Sequence, residues 1–384
     1  MSVSRRAVLR AGAFGAFGWW LAACSGDDTQ DRSGGGPAGG GDGSIEEGVV
    51  ATSRWMPAED ATHAATWMCF PGRRDVWGGD LPDVQTTIAD LGLVIAEFEP
   101  VRMLVAPPDM TRARDLVGSD VELIEAPVDD LWARDTLPLF LADDRGQLAA
   151  GRVEFNGWGD KQVHDGDATL AAVVADVLDV ELVDAGIVGE GGGVETDGEG
   201  TLLAARSSWV NPNRNPGLGE AQIAERLVAL LGADRLLWVD GVAGEDITDG
   251  HIDTLARFID PATIIHEFPS YVEPGETWYD LAVDTAAELQ RMTTLDGEPY
   301  ELVRLDQPST TRRSDPDFLA SYVNYYVCND AVIVAEFGDA QADGIAAELI
   351  GDLHPGRTVV PVNIDPVAAG GGGVHCATQQ QPAV

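Results

Sequence analysis

The chain has 384 residues, enough for one large domain or two ordinary ones with an ample core. Its 64 Asp and Glu residues against 24 Lys and Arg give a formal net charge of -40. That balance excludes nucleic acid and anionic membrane as partners held by charge, since both demand basic patches. Lys161 is the only lysine, and an acidic excess of this kind suits a protein kept soluble in high salt, where self-repulsion is screened.

The first residues read as an export signal rather than fold. "SRRAVLR", Ser4 to Arg10, carries paired arginines where a twin-arginine signal has them. The apolar run that follows, Ala11 to Ala23, is too short to span a bilayer. "LAAC", Leu21 to Cys24, resembles a lipobox, with cleavage before Cys24 and lipidation of its sulfur. Residues 1–23 are therefore expected to be a signal peptide. Residues 24–48 are rich in Gly, Asp and Ser, which bury no apolar surface, and read as a flexible tether. Residues 49–384 form the folded body. The expected location is outside the cell membrane, held by a lipid anchor at Cys24, or secreted. Export leaves Cys69, Cys328 and Cys376, an odd number, so either one thiol is free or all are. No CxxC occurs, and zinc-knuckle or thioredoxin-type chemistry is not expected.

Helix and strand signals alternate through the body. Apolar spacing of three and four predicts helices over Pro82–Pro100, Asp167–Leu178, Glu220–Gly232, Tyr279–Met292 and Gln341–Leu353. A short Val-, Leu- or Ile-rich strand follows each: "VRMLVAP", "VELVDAG", "RLLWVDG", "YELVRLDQP" and "RTVVPVNI". Five similar units indicate internal repetition and an α/β fold. The units leave a doubly wound sheet and a pseudo-symmetric ring both open. No GxGxxG or GxxxxGK[ST] stands at a strand–helix junction, so a nucleotide site is not supported.

A polar cluster accompanies each unit: "DDLWARD" with Trp132 and Asp135, "GEGGG" with Glu190, "DGHID" with His251 and Asp253, "YVNYY" with Asn324, and "GGGGVHCATQQQP" with Cys376. In the last, glycines crowd a thiol and allow close approach of backbone or ligand. If that piece is extended, His375 and Cys376 point to opposite faces, so the thiol needs a distant histidine. His251 and Asp253 are two apart and on a strand would face one side together, as a nucleophile's partners should.

These motifs resemble the agmatine deiminase and Porphyromonas-type peptidylarginine deiminase family of the guanidine-modifying (pentein) superfamily. The match runs from "MPAEDATHAATWMCFPGRRDVW" through "WARDTLP", "EGGG", "NPNRNPG" and "DGHIDTLARF" to "GGGGVHCATQQQP". The resemblance implies a five-bladed pseudo-symmetric α/β propeller with the clusters around one pocket. It implies Cys376 as nucleophile, His251 as general acid and base, Asp135 and Asp253 as a guanidinium clamp, and Glu190 orienting His251 or touching substrate. Trp132 would wall the pocket, and Asn324 would contact substrate. No metal or organic cofactor is implied.

A guanidinium is a planar cation that two carboxylates can grip through its N–H groups for in-line attack. The implied reaction is hydrolytic deimination, agmatine to N-carbamoylputrescine plus ammonia, through a cysteine thiouronium. Peptidylarginine is the alternative substrate. An alternative of another class is a lipid-anchored binding protein for cationic guanidines. The stretch "RSSWVNPNRNP" departs from agmatine-type relatives, and Arg206 there would favour a substrate carboxylate if it faced the pocket. Ala335 and Glu336 depart from a common proline as a structural variation.

Overall fold

One pattern recurs: an antiparallel strand pair, a crossover helix, then a strand parallel to the second of the pair. The protein is represented by a computed structural model, which describes residues 53–270 and 275–384. The expected signal peptide, Cys24 and the tether lie outside the described residues.

Among the described residues there are five sheets. The first joins His63–Phe70, Val101–Val105 and Glu122–Glu125 in parallel, with the C-terminal Gln379–Pro382 antiparallel to His63–Phe70. Gln379–Pro382 thus completes the sheet that His63–Phe70 begins. The second contains Leu139–Asp143, Leu148–Glu154 and Glu181–Val188, with the short Arg54–Trp55 at its edge. The third contains Val194–Thr196, Thr201–Ala205 and Arg235–Val239. The fourth contains Ala256–Asp260, Thr263–Phe268 and Glu301–Asp306, and the fifth Tyr326–Val327, Ala331–Ala335 and Thr358–Val362.

Parallel neighbours cannot be joined by a tight turn, so each such pair needs a crossover. Met110–Val117 joins Val101–Val105 to Glu122–Glu125, and the other five crossovers are the helices Leu81–Ala96, Leu170–Leu178, Glu220–Leu231, Thr277–Leu289 and Ala340–Leu353. These five fall within a few residues of the predicted segments, and the five short strands follow them as expected. Each helix buries one stripe. In Glu220–Leu231 the buried positions are Ile223, Leu227, Leu230 and Leu231, and Gly232 ends the helix in the left-handed region at φ 63°. Asp339 caps Ala340–Leu353 by accepting from the Ala342 N–H.

The middle strands read as unbroken apolar runs because both their faces are buried. In His63–Phe70, Trp67 and Cys69 pack with Phe140 and Leu170 of the second unit, while Met68 and Phe70 pack with Val332 and Val334 of the fifth. Leu202 and Ala204 pack with Leu139 and Leu141, and Leu203 and Ala205 with Ile252 and Ile264. The core therefore lies between neighbouring sheets, and each fully buried large apolar side chain contributes about 1.5–3 kcal/mol. Cys69, Cys328 and Cys376 are all free and buried, which settles the odd count in favour of three thiols.

Each polar cluster immediately precedes the first strand of a unit. Asp135 precedes Leu139–Asp143, Glu190 precedes Val194–Thr196, His251 and Asp253 precede Ala256–Asp260, Asn324 precedes Tyr326–Val327, and Cys376 precedes Gln379–Pro382.

Glu267 is among the buried acids outside those clusters. Glu267, on Thr263–Phe268, has a buried Oε1 without a partner, and burial pushes its carboxyl up to about 8. A carboxyl raised from the usual 4.5 is stabilising as the neutral acid. That stability is present below pH 4.5 and is lost as pH rises through about 8. Glu267→Gln removes the titration. Its melting temperature should draw ahead of wild type between pH 5 and pH 8, by a difference of roughly 4 kcal/mol in unfolding free energy. A gap that does not change with pH would contradict this.

Candidate active site

Cys376 sits in a coil of turns, not in an extended strand. The Ala377 N–H reaches the carbonyls of Gly373 and Val374 at 3.3 and 3.2 Å, and the Thr378 N–H reaches that of His375 at 3.1 Å. The condition under which His375 and Cys376 would face opposite ways, an extended segment, is therefore not met. The glycines before it are required by crowding. A Cβ at Gly373 would fall 2.3 Å from Asn324 Oδ1, and one at Gly372 would fall 2.1 Å from the Trp132 ring. Trp132, buried against Gly372 and 6.1 Å from Trp77 between ring centres, is a wall of this region.

Asn324 ties the thiol to a carboxylate. Its Nδ2 lies 3.2 Å from Cys376 Sγ and 3.1 Å from Asp253 Oδ2, and its Oδ1 accepts from the Cys376 N–H at 3.3 Å. Its amide is thus committed to protein groups. Cys376 Sγ lies 3.5 Å from the same Asp253 Oδ2. His375, set aside by the extended reading, places Nδ1 2.8 Å from Asp253 Oδ2 and Nε2 2.8 Å from Glu59 Oε2. Asp253 Oδ2 is therefore fully engaged, while Oδ1 is buried and has no hydrogen-bond partner.

His251 and Asp253 do not lie on a strand. Ile252–Thr254 forms a 3-10 turn that ends before Ala256–Asp260 begins, because Thr254 Oγ1 and the Leu255 N–H bond back to His251 and Ile252. The two side chains nevertheless meet. A Cβ at Gly192 would lie 2.7 Å from His251 Nδ1, 2.8 Å from Asp135 Oδ1 and 3.2 Å from Asp253 Oδ2. Glycine at 192 is thus what lets the three groups surround one point.

Asp135 is held from both sides. Its Oδ2 accepts from Trp158 Nε1 at 2.9 Å, and its Oδ1 accepts from the Gly192 N–H at 3.1 Å and stands 3.6 Å from His251 Nδ1. Trp158 reaches it from a left-handed stretch, at φ 56°, which is unusual for a bulky residue. Glu190 accepts from Arg214 Nε at 2.9 Å and places its other oxygen 3.3 Å from His251 Nε2. Arg214, fully buried, also bonds Asp249, which Lys161 approaches at 2.7 Å. The structure thus brings Cys376, His251, Asp253, Asp135, Glu190, Asn324 and Trp132 into one neighbourhood. It adds Glu59, Arg134, Trp158, Arg214, Arg257 and His375, whose partners are distant in sequence.

The electrostatics assign resting charges. Burial pushes the Cys376 thiol well up, and the charges of Asp253 and Asp135 push it further. Burial opposes the His251 imidazolium, but Asp135, Glu190 and Asp253 outweigh it and raise the ring to about 9. Burial raises the Asp135 carboxyl. For Asp253 burial is outweighed by His375, His251 and Arg134, which hold its carboxyl below the usual range. Glu190 is held low in the same way by His251 and Arg214. At rest the site is a neutral thiol beside an imidazolium and a group of carboxylates.

Arg206 is elsewhere. Its guanidinium pairs with Glu220 and Asp240, both at 2.8 Å, and lies over Trp238. It is a partly exposed residue of a salt-bridge pair.

A buried thiol, an imidazolium and two facing carboxylates on repeated α/β units define a thiol-dependent enzyme acting on cationic groups. Residues 55–382 match the family described as Porphyromonas-type peptidyl-arginine deiminase, and the chain belongs to that family. It is 36% identical over 336 residues to a Streptomyces coelicolor protein provisionally named agmatine deiminase, covering 85% of this chain and 98% of that one. The solved agmatine deiminase of Enterococcus faecalis superposes with a TM-score of 0.80 at 28% identity, covering 86% of this chain and 96% of the other. A Porphyromonas gingivalis structure provisionally named arginine deiminase gives a TM-score of 0.76 at 32% identity, covering 86% and 98%.

Proposed function

We propose that the protein is a guanidine deiminase, a hydrolase of amidine C–N bonds, with agmatine as its substrate. The observation that carries this is the pair Asp135 and Asp253 about Gly192, with Asp253 Oδ1 buried and unbonded. An ionised oxygen without a donor is costly unless a cation supplies one. A guanidinium seated there receives bidentate bonds from two carboxylates. Its charge also offsets the negative field of Asp135 and Asp253 that opposes thiolate formation, so the sulfur ionises as substrate arrives and its proton leaves to solvent.

The thiolate of Cys376 attacks the guanidinium carbon and forms a C–S bond. His251, protonated at rest, donates to the departing nitrogen, and ammonia leaves. His251, now neutral, takes a proton from water as the water adds to the thiouronium carbon. The C–S bond then breaks as the adduct's hydroxyl proton is lost, the sulfur regains a proton as the thiol, and the product is a ureido group. Glu190 and Arg214 hold the imidazole in position. Asn324 donates toward the sulfur throughout.

The five sheets are read as blades of a pseudo-symmetric propeller. Apolar packing from each sheet to the next, and from the fifth back to the first, supports that arrangement. The chain starts of the inner strands then converge on the one pocket.

Agmatine is favoured over an arginyl peptide because Arg206, the candidate carboxylate partner, is engaged by Glu220 and Asp240. Agmatine is also the substrate of the Enterococcus faecalis enzyme. The kcat/KM for agmatine should exceed that for a peptide ending in arginine, and Arg206→Ala should leave the agmatine value within about twofold. A peptide preference of tenfold or more, about 1.4 kcal/mol in transition-state binding, would overturn the substrate assignment. Binding of guanidines without ureido product would instead support the binding-protein alternative.

Export by the twin-arginine route and lipidation of Cys24 complete the proposal. Incorporation of labelled fatty acid, abolished by Cys24→Ala, tests the anchor. Labelling that persists in that variant would refute it.

A further inference from the structure

We propose that His375 is a positioning residue of this reaction: held between Glu59 and Asp253, it fixes the rotation of the Asp253 carboxylate beside Cys376. The inference rests on the deiminase reading and extends it to a residue outside the attacking groups.

The geometry is a chain of three. His375 Nδ1 stands 2.8 Å from Asp253 Oδ2, and Nε2 stands 2.8 Å from Glu59 Oε2. Glu195 Oε1 lies 3.7 Å from the same Nε2. Ionised carboxylates only accept hydrogen bonds, so a ring nitrogen that bonds either of them does so as the donor. Both carboxylates are held in the ionised form. Burial would raise Glu59, but Arg257, His375 and Arg134 hold it well below the usual range. The Arg257 and Arg134 guanidinium nitrogens lie 2.9 and 3.2 Å from Glu59 Oε2. Glu59 is thus a fixed anchor behind the histidine.

The front of the chain is the clamp. Around Asp253 stand His375, His251, Arg134, Asn324 and Cys376, with Asp135 across Gly192. His375 and Asn324 occupy Oδ2, which leaves Oδ1 as the free acceptor. Without His375 the carboxylate loses the hydrogen bond that sets its rotation and helps hold it ionised. Its protonation then becomes easier, and the guanidinium loses one half of its grip.

The test uses the whole protein and follows agmatine turnover from pH 4.5 to pH 9. His375→Asn keeps an amide near the Nδ1 position but carries no charge. Its kcat/KM should fall roughly ten- to a hundredfold, the range of one charged hydrogen bond. The acid limb of its kcat/KM profile should move to higher pH by roughly half a unit or more, as Asp253 becomes easier to protonate. A merely structural role would lower activity without moving that limb. Glu59→Gln, which leaves His375 in place, should move the limb the same way by less.

An acid limb that stays put in His375→Asn overturns the proposal. Absence of ureido product from wild type with any guanidine would overturn the deiminase reading and this inference together. Product from wild type with an unmoved limb in the variant overturns this inference alone.

Discussion

Cys376→Ser should lower ureido formation from agmatine by about four orders of magnitude or more while leaving the fold in place. The sulfur is the only group placed to form the covalent intermediate, and a serine hydroxyl has no adjacent base strong enough to replace it. His251 is an acid at rest, raised to about 9, so it cannot take a hydroxyl proton in the first step. The substitution removes little volume from a site where Asn324 and the Cys376 backbone are already bonded to each other. Circular dichroism and melting temperature should therefore match wild type. An amidine bearing a leaving group should label Cys376 and spare Cys69 and Cys328, because Cys376 is the thiol beside the Asp253 and Asp135 carboxylates that would hold the amidinium. Retention of even a tenth of wild-type turnover in Cys376→Ser would show that the chemistry runs elsewhere.

Asp253→Asn should separate turnover from thiol reactivity. The variant keeps the shape of the carboxylate but loses its charge, so the clamp holds the guanidinium from one side. A loss of roughly a thousandfold in kcat/KM is expected from the charge-assisted bonds and the alignment they provide. The thiol should respond in the opposite direction. After burial, the Asp253 charge is the largest influence that raises Cys376, and removing it favours the thiolate. Alkylation of Cys376 by iodoacetamide at pH 7.5 should then be faster in the variant than in wild type. Slower alkylation together with lost turnover would mean that Asp253 acts as the thiol's base rather than as its electrostatic opponent.

Five of the crossover helices and their following strands were legible because each helix keeps one apolar stripe and each strand is short and apolar. The unbroken runs such as "AVIVAEF" were legible as strands, yet their reason lies in the fold, where both faces of Ala331–Ala335 are covered. Local shape around the site was less legible. Glycine on either side of a functional residue reads as freedom, and freedom does not tell a turn from a strand. On a strand His251 and Asp253 would share a face, and in an extended segment His375 would point away from Cys376; both stretches are turns, and they bring His375 and Cys376 to Asp253.

The charged frame behind the clamp was the least legible part. Glu59 meets His375 across 316 residues and Arg134 across 75. Arg257 belongs to the "DGHIDTLARF" motif, but nothing in its spacing points to Glu59 or Glu195. Such partners are chosen by the closure of the sheets, and no local pattern encodes them. A weaker signal existed in composition, since arginines inside otherwise apolar motifs must find carboxylates when buried. Arg206 shows the limit of that signal, for it lies in a motif as well and pairs at the surface.

The central claim is that a guanidinium carbon is attacked by Cys376 and released as a ureido group. The most direct test is to mix the purified protein with agmatine, quench during the steady state, and measure N-carbamoylputrescine, ammonia and the mass of the Cys376 peptide together. The account predicts equal amounts of the two products, and a Cys376 peptide that carries the amidine carbon of the substrate and loses it on longer incubation. Agmatine recovered unchanged, with Cys376 unmodified at every time, would contradict it.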